Sequence, residues 1–222
     1  MRAVPNSLHD DVADRLRHCI FEGVLSAGAF VDEVALCAEW SISRTPLREA
    51  LKVLAAEGLI RHEPRRGSFV SEVTERDLDD IFPVIAMLEG RCACEAARKV
   101  TAADLVALDA LHNNLQAHAA AGRIPEYYAT NYSIHEAIIT LADNRWLAQS
   151  ISDLRKILKL ARLQQLRAPG RLAQSLSEHL AVFAAIRNHD ADAADSAMRN
   201  HLLMQREALR ELARHGKSRL SA

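Results

Sequence analysis

The sequence predicts a mainly α protein in two parts: an N-terminal winged helix-turn-helix (three helices plus a β-hairpin), then an all-α helical bundle of about six helices. Three observations lead there. Alanine and leucine are abundant while glycine (8) and proline (6) are sparse across 222 residues, a composition that favours helix. Short helical patterns and one paired strand-like stretch fill residues 1–72. Residues 73–222 show helical periodicity broken only by short interruptions. The expected division is therefore 1–72 and 73–222.

The first helix is expected over residues 8–22, with Val12, Leu16, Cys19 and Ile20 on one face and Gly23 ending it. A loop containing Gly28 leads to a short helix over 33–40. The turn Ser41-Ile42-Ser43 opens a third helix over 44–57, closed by Gly58. Ser43 fits the N-cap, and Pro46 falls in the first turn, where no amide hydrogen bond is lost. Residues 59–62 and 68–71 read as strands about a turn at 64–67. In the second part, breaks near 100–101, 122–125, 143–144, 168–170 and 188–190 separate the six helices, and an antiparallel bundle is their simplest packing.

Charge and cysteine content narrow the function classes. The net charge is −1, so any nucleic-acid contact has to come from a local patch. The four cysteines form no CxxC pair, which fits reduced thiols in a cytoplasmic protein. No N-terminal apolar leader and no run of spanning length is visible.

The local patch exists. On the third helix Leu47, Ala50, Leu51 and Leu54 share one side, while Arg44, Thr45, Arg48, Glu49 and Lys52 share the other. Between residues 44 and 66 six Lys and Arg residues stand against three Glu. Arg44 and Arg48 sit at the helix N-terminus, where the dipole favours anions. A phosphate or a base edge uses both that positive end and the guanidinium groups. An ordinary solvated face explains two arginines four apart equally well, but the preceding turn and the basic hairpin tip favour DNA.

Histidine marks the second part. His135 follows Asn131 by four residues, so both project from one helix face with Ile138 and Ala142. His179 stands on the stripe Leu172, Leu176, Phe183 and Ile186. His201 stands beside Ala194, Ala197, Met198 and Leu202. Three polar residues on three apolar faces are either hydrogen-bonded core histidines or converging metal ligands, and spacing alone leaves both open. His9, His18, His112, His118, His189 and His215 read as incidental, and His62 as structural or phosphate-proximal.

The stretch "SISRTPLREALKVLAAEGLIRHEPRRGSFV", with "LRHCIFEGVLSAGAFVDEVALCAEW" before it, resembles the DNA-binding core of the GntR family of bacterial transcription regulators. The resemblance implies that Ser43, Arg44, Thr45 and Arg48 contact operator bases and phosphates in the major groove. It also implies that Arg65, Arg66 and Gly67 form a wing tip at the minor groove. "EHLAVFAAIRNHDADAADSAMRNHL" and "NYSIHEAIITLADNRWL" resemble the FadR-like (FCD) effector-binding and dimerisation domain of that family. By that resemblance Asn131, His135, His179 and His201 hold a divalent metal ion, with Asn131 where Asp is common. Zinc, nickel and manganese all suit imidazole and oxygen ligands. Ile85 stands about where relatives carry an arginine. Arg155 and Arg162 are then candidate partners for an effector carboxylate, against the alternative of ordinary solvated arginines.

These resemblances imply a homodimeric, cytoplasmic regulator, a repressor by the commoner direction. It would bind a double-stranded palindromic DNA operator and be switched by a small-molecule effector, a carboxylate, with no membrane partner. The rival class is a metal-dependent enzyme using the three histidines. Glu136 and Glu178 neighbour ligands in sequence, but adjacent residues on a helix point about 100° apart, and no nucleophile motif or Gly-rich phosphate loop supports catalysis.

Overall fold

The computed structural model describes residues 8–220, except for the side chains of residues 8, 164, 213 and 215–220. His215 thus falls outside the described side chains. The described chain forms two compact units, residues 8–73 with 156–160, and residues 74–155 with 161–220.

The first unit contains α1 (Leu8–Phe21), α2 (Glu33–Trp40), α3 (Arg44–Ala56), β1 (Ile60–Glu63) and β2 (Gly67–Val70). Its core joins Leu16 and Ile20 of α1 to Leu47, Leu51 and Leu54 of α3 and to Leu59, all essentially inaccessible. Asp32 caps α2, its carboxylate accepting from the amides of Val34 and Ala35. Ser43 holds the N-cap position of α3 with an extended backbone, but its hydroxyl makes no capping hydrogen bond. That hydroxyl is exposed at the end of the arginine face.

The strands pair antiparallel, Ile60 opposite Val70 and Glu63 opposite Gly67. The loop before α2 adds a further rung: Val31 N donates to Ser68 O at 2.9 Å and Val70 N to Ala29 O at 2.9 Å. Gly67 is fixed by this arrangement. Its φ is +103°, and a Cβ there would lie 2.8 Å from the Phe30 ring, which itself packs edge-on against Phe69.

The second unit is helical: α4 (Glu75–Lys99), α5 (Ala102–Ala120), α6 (Ile124–Ala142), α7 (Arg145–Gln165) apart from its residues 156–160, α8 (Arg171–Arg187) and α9 (Ala191–Leu220). Its boundaries follow local chemistry. Thr74–Asp77 and Thr101–Asp104 form reciprocal capping boxes at the starts of α4 and α5. The Asn144 carboxamide accepts from the amides of Trp146 and Leu147 to open α7. Lys99 at the end of α4 donates to the carbonyl of Ala142 at the end of α6. Helix α4 packs on α6, α8 and α9, and α5 on α6 and α8. The α4–α9 approach is closest at Gly90, where a Cβ would lie 2.8–2.9 Å from Arg199 and Asp195. The four cysteines are free. Among the described residues no helix is long and apolar enough to cross a membrane.

Candidate nucleic-acid interface and candidate metal centre

On α3 the two faces separate as the periodicity requires. Leu47, Ala50, Leu51 and Leu54 are buried, while Arg44, Thr45, Arg48, Glu49 and Lys52 are exposed. No acidic residue occupies the first turn. Arg44 has no hydrogen-bond or ion-pair partner among the described residues, so its guanidinium is available. Arg48 is held by Glu33 of α2, with Nε 2.9 Å from Oε2. At the hairpin tip Arg65 takes a left-handed backbone, φ 64°. Arg61 and Arg66 both pair with Glu63 and lie over the Phe69 ring. A groove between α3 and the hairpin is lined by Arg48, Lys52, His62, Arg65 and Gly67. His62 Nδ1 lies 3.0 Å from the Ser68 hydroxyl, which ties it to the hairpin base.

Within the helical unit His135 of α6, His179 of α8 and His201 of α9 converge. Their ring centroids are 5.0, 5.3 and 4.4 Å apart, and all three are fully buried. Each offers a ligand nitrogen, and these atoms lie within 4.8 Å of one another. Asn131 is also buried, one turn before His135.

Two carboxylates orient two of the rings. Glu89, in the apolar face of α4, lies 2.6 Å from His135 Nδ1. Glu178 lies 2.7 Å from His201 Nδ1. An ionised carboxylate only accepts, so each Nδ1 carries the proton and each Nε2 keeps its lone pair. Both carboxylates are held ionised by arginine. Arg155 donates from Nε and Nη2 to Glu89 at 2.9 and 2.7 Å, and Arg171 donates two bonds to Glu178 at 3.0 and 2.9 Å. Burial pushes Glu89 upward, but the charges of Arg155 and Arg162 and the hydrogen bond from His135 outweigh it and hold the carboxyl well below its ordinary range. Burial pushes His135 down to about 3, and pushes His179 and His201 down as well. The three imidazoles are therefore neutral at physiological pH, the form that binds metals.

Three of their six ring nitrogens are not satisfied. His135 Nε2 and both ring nitrogens of His179 have no hydrogen-bond partner. A buried polar atom left unpaired costs about 1–3 kcal/mol. The core-histidine alternative requires satisfied rings, so the orphaned nitrogens favour a ligand set.

Several placements correct the sequence expectation. Arg155 and Arg162 are not solvated: they are 6% and 8% exposed. Arg155 uses its fork on Glu89 and, through Nη1, on Glu136 at 2.7 Å. Arg162 approaches Glu89 only at 4.0 Å, and burial lowers its pKa. As the helical angle between adjacent residues leads one to expect, Glu178 does not serve its neighbour His179; it serves His201 across to α9. The buried stripe of α8 runs through Arg171, Ser175, His179, Val182, Phe183 and Ile186, with Leu172 and Leu176 only half-buried. Ion pairing of Arg171 and the Tyr127–Ser175 hydrogen bond (2.9 Å) make those polar positions internal.

Sequence reasoning misses Glu89, whose signal is an acidic residue on the face Phe82, Ile85, Ala86, Ala93. It also misses His112, which is buried, stacks on Phe183 at 4.3 Å and lies 6.3 Å from His179.

A winged helix-turn-helix with an exposed arginine face on its third helix, followed by a helical unit holding a buried three-histidine cluster, has the layout of a DNA-binding regulator. Comparison with known proteins agrees. Residues 8–70 match the model of the bacterial regulatory proteins of the gntR family, and residues 80–204 match the FCD domain. The chain belongs to the GntR family of transcription regulators, in the branch that carries an FCD domain.

It is 25% identical over 212 residues to the HTH-type transcriptional regulator YdhC of Bacillus subtilis, covering 92% of each chain. It is 24% identical over 197 residues to the HTH-type transcriptional repressor RspR of Escherichia coli, covering 89% of this chain and 86% of RspR. Among solved structures, E. coli McbR/YncC superposes with a TM-score of 0.72 at 24% identity, covering 94% of this chain and 99% of that one, a likeness of fold. Members of the family are transcription regulators and not enzymes, which sets aside the metal-dependent enzyme reading of the histidines.

Proposed function

We propose that this chain is a cytoplasmic, homodimeric repressor whose helical domain binds a divalent metal ion and, beside it, a small organic acid that changes operator affinity. The functional division follows the boundaries 1–72 for DNA reading and 73–222 for sensing and dimerisation. Ser43, Arg44, Thr45 and Arg48 read a half-site in the major groove, and Arg65, Arg66 and Gly67 reach the minor groove. Two copies related by a twofold axis make a palindromic operator the matching partner. Repression is the direction named for RspR and for the gluconate operon repressor of B. subtilis.

The observation that carries the metal reading is the set of orphaned ring nitrogens on neutral, fully buried His135 and His179, in a cluster where carboxylates aim His135 and His201. Carboxylate–histidine pairs of this kind raise ligand basicity and fix the ring about a metal. His135, His179 and His201 hold the ion, with the Asn131 amide oxygen as a neutral fourth ligand. Zinc, nickel or manganese fits this donor set. The ion supplies a Lewis-acidic positive centre for an effector carboxylate. Arg162, buried and only distantly paired, supplies a second cationic contact, while Arg155 holds Glu89 and shapes the wall.

Elemental analysis of the purified protein tests this directly. The expected result is about one divalent ion per chain in wild type and a near-complete loss in His179→Ala. Equal metal content in the two would contradict it.

A further inference from the structure

Gln205 lies on α9 one turn after His201, on the same face, and is 1% exposed. Its Nε2 is 2.7 Å from His201 Nε2. Its Oε1 is buried with no hydrogen-bond partner. The direction of the bond follows from the other side of the ring: His201 Nδ1–H is given to Glu178, so Nε2 is a lone pair that accepts from the Gln205 amide. The side chain thus covers the one ligand nitrogen of the three that is not orphaned, and leaves its own buried oxygen unpaired, which is unfavourable. Leucine would fill that volume at no such cost.

Distance gives the amide a second role. Imidazole nitrogen and oxygen ligands stand about 2.0–2.2 Å from an ion such as zinc. Two donors at right angles about one ion are then about 3 Å apart. The terminal atom of Gln205, 2.7 Å from His201 Nε2, is close to one such edge. Turning the amide about its last bond exchanges oxygen for nitrogen, because the two ends have the same shape; since the amide stands on the lone pair that an ion would take, the flexible side chain also swings off that axis.

We infer that Gln205 is a displaceable metal ligand: its N–H guards His201 Nε2 in the metal-free chain, and its Oε1 turns onto the ion when one enters. This rests on the metal reading above. The consequence is selectivity. An added neutral oxygen raises the coordination number beyond the tetrahedron that zinc prefers, and so favours ions that accept five or six ligands, such as nickel and manganese. The ligand set stays uncharged, so the ion keeps its full positive charge for an anionic effector.

The test is chelator-competition titration of the full-length, metal-stripped protein with Zn²⁺, Ni²⁺ and Mn²⁺, in wild type, Gln205→Leu, Gln205→Glu and His179→Ala. Metal-free thermal melts check that each variant folds. Gln205→Leu is expected to weaken nickel and manganese by at least the roughly tenfold that losing even an outer partner costs, and zinc by less. Gln205→Glu, which places an anionic oxygen at the same point, is expected to tighten all three at neutral pH. If Gln205→Leu binds nickel and manganese as tightly as wild type or more tightly, or if Gln205→Glu fails to tighten any ion, the inference is overturned while the histidine site stands. If wild type and His179→Ala bind all three ions alike, the metal reading itself fails, and this inference with it.

Discussion

Glu89→Gln probes the junction on which the histidine cluster depends. The substitution is nearly isosteric and removes one charge. In wild type the Glu89 carboxylate, 1% exposed, accepts two bonds from Arg155 and one from His135. After substitution the Arg155 guanidinium, itself 6% exposed, keeps only the half-exposed Glu136 as an anionic partner. Removing one member of a buried pair costs about 3–5 kcal/mol, because the other charge is left uncompensated. Glu136→Gln breaks the outer contact of the same arginine and is expected to cost no more than about 1 kcal/mol, as for exposed pairs. The amide can also present an N–H to His135, which misorients the ring and is expected to weaken metal binding by about 10–100-fold. Urea denaturation of both variants, with chelator competition for the metal, measures each quantity. A Glu89→Gln protein within about 1 kcal/mol of wild type, with unchanged metal affinity, would refute the argued role of this carboxylate.

Three further outcomes follow from the geometry. Arg44→Ala and Arg48→Ala are expected to relax operator preference by about 1–3 kcal/mol each, whereas Arg66→Ala weakens binding to all sequences and shallows the salt slope by about one; fluorescence anisotropy at several salt concentrations separates the two patterns. Gly67→Ala places a Cβ against Phe30 on a left-handed backbone and is expected to cost about 1–3 kcal/mol of stability, with a matching loss of DNA affinity in the same titration. Stability of the metal-free protein should fall as pH drops below about 6.5. Burial holds folded His135 at about 3 against an ordinary 6.5, so the unfolded chain takes up the proton first, and reaching pH 5 costs about 2 kcal/mol from this residue alone. A flat stability profile between pH 7 and pH 5 would contradict that assignment.

The leucine face of α3 and the arginine face opposite obey one helical period, and local period is what an amino-acid sequence states most directly. The positions of Asn131, His135, His179 and His201 are legible in the same way, as polar residues interrupting apolar faces. Which side chain meets which across the bundle is not legible, because tertiary packing chooses the partners. Glu178 stands next to His179 in sequence, yet it serves His201, since a helix sends adjacent residues to different faces. Arg155 and Arg162 read as surface arginines, because unpaired charge is normally excluded from a core; their burial depends on a carboxylate from a distant segment. Gln205 carries no signal in a single sequence beyond its place one turn after a histidine.

Sensing of an organic acid by the helical domain through a histidine-bound metal, with a consequent change in DNA binding, is measured by operator anisotropy with metal-loaded protein titrated with a panel of small carboxylates. At least one carboxylate is expected to release wild-type protein from the operator, and stripping the metal or substituting His179→Ala is expected to abolish that release while DNA binding itself persists. Equal release by wild type, metal-stripped protein and His179→Ala would contradict it.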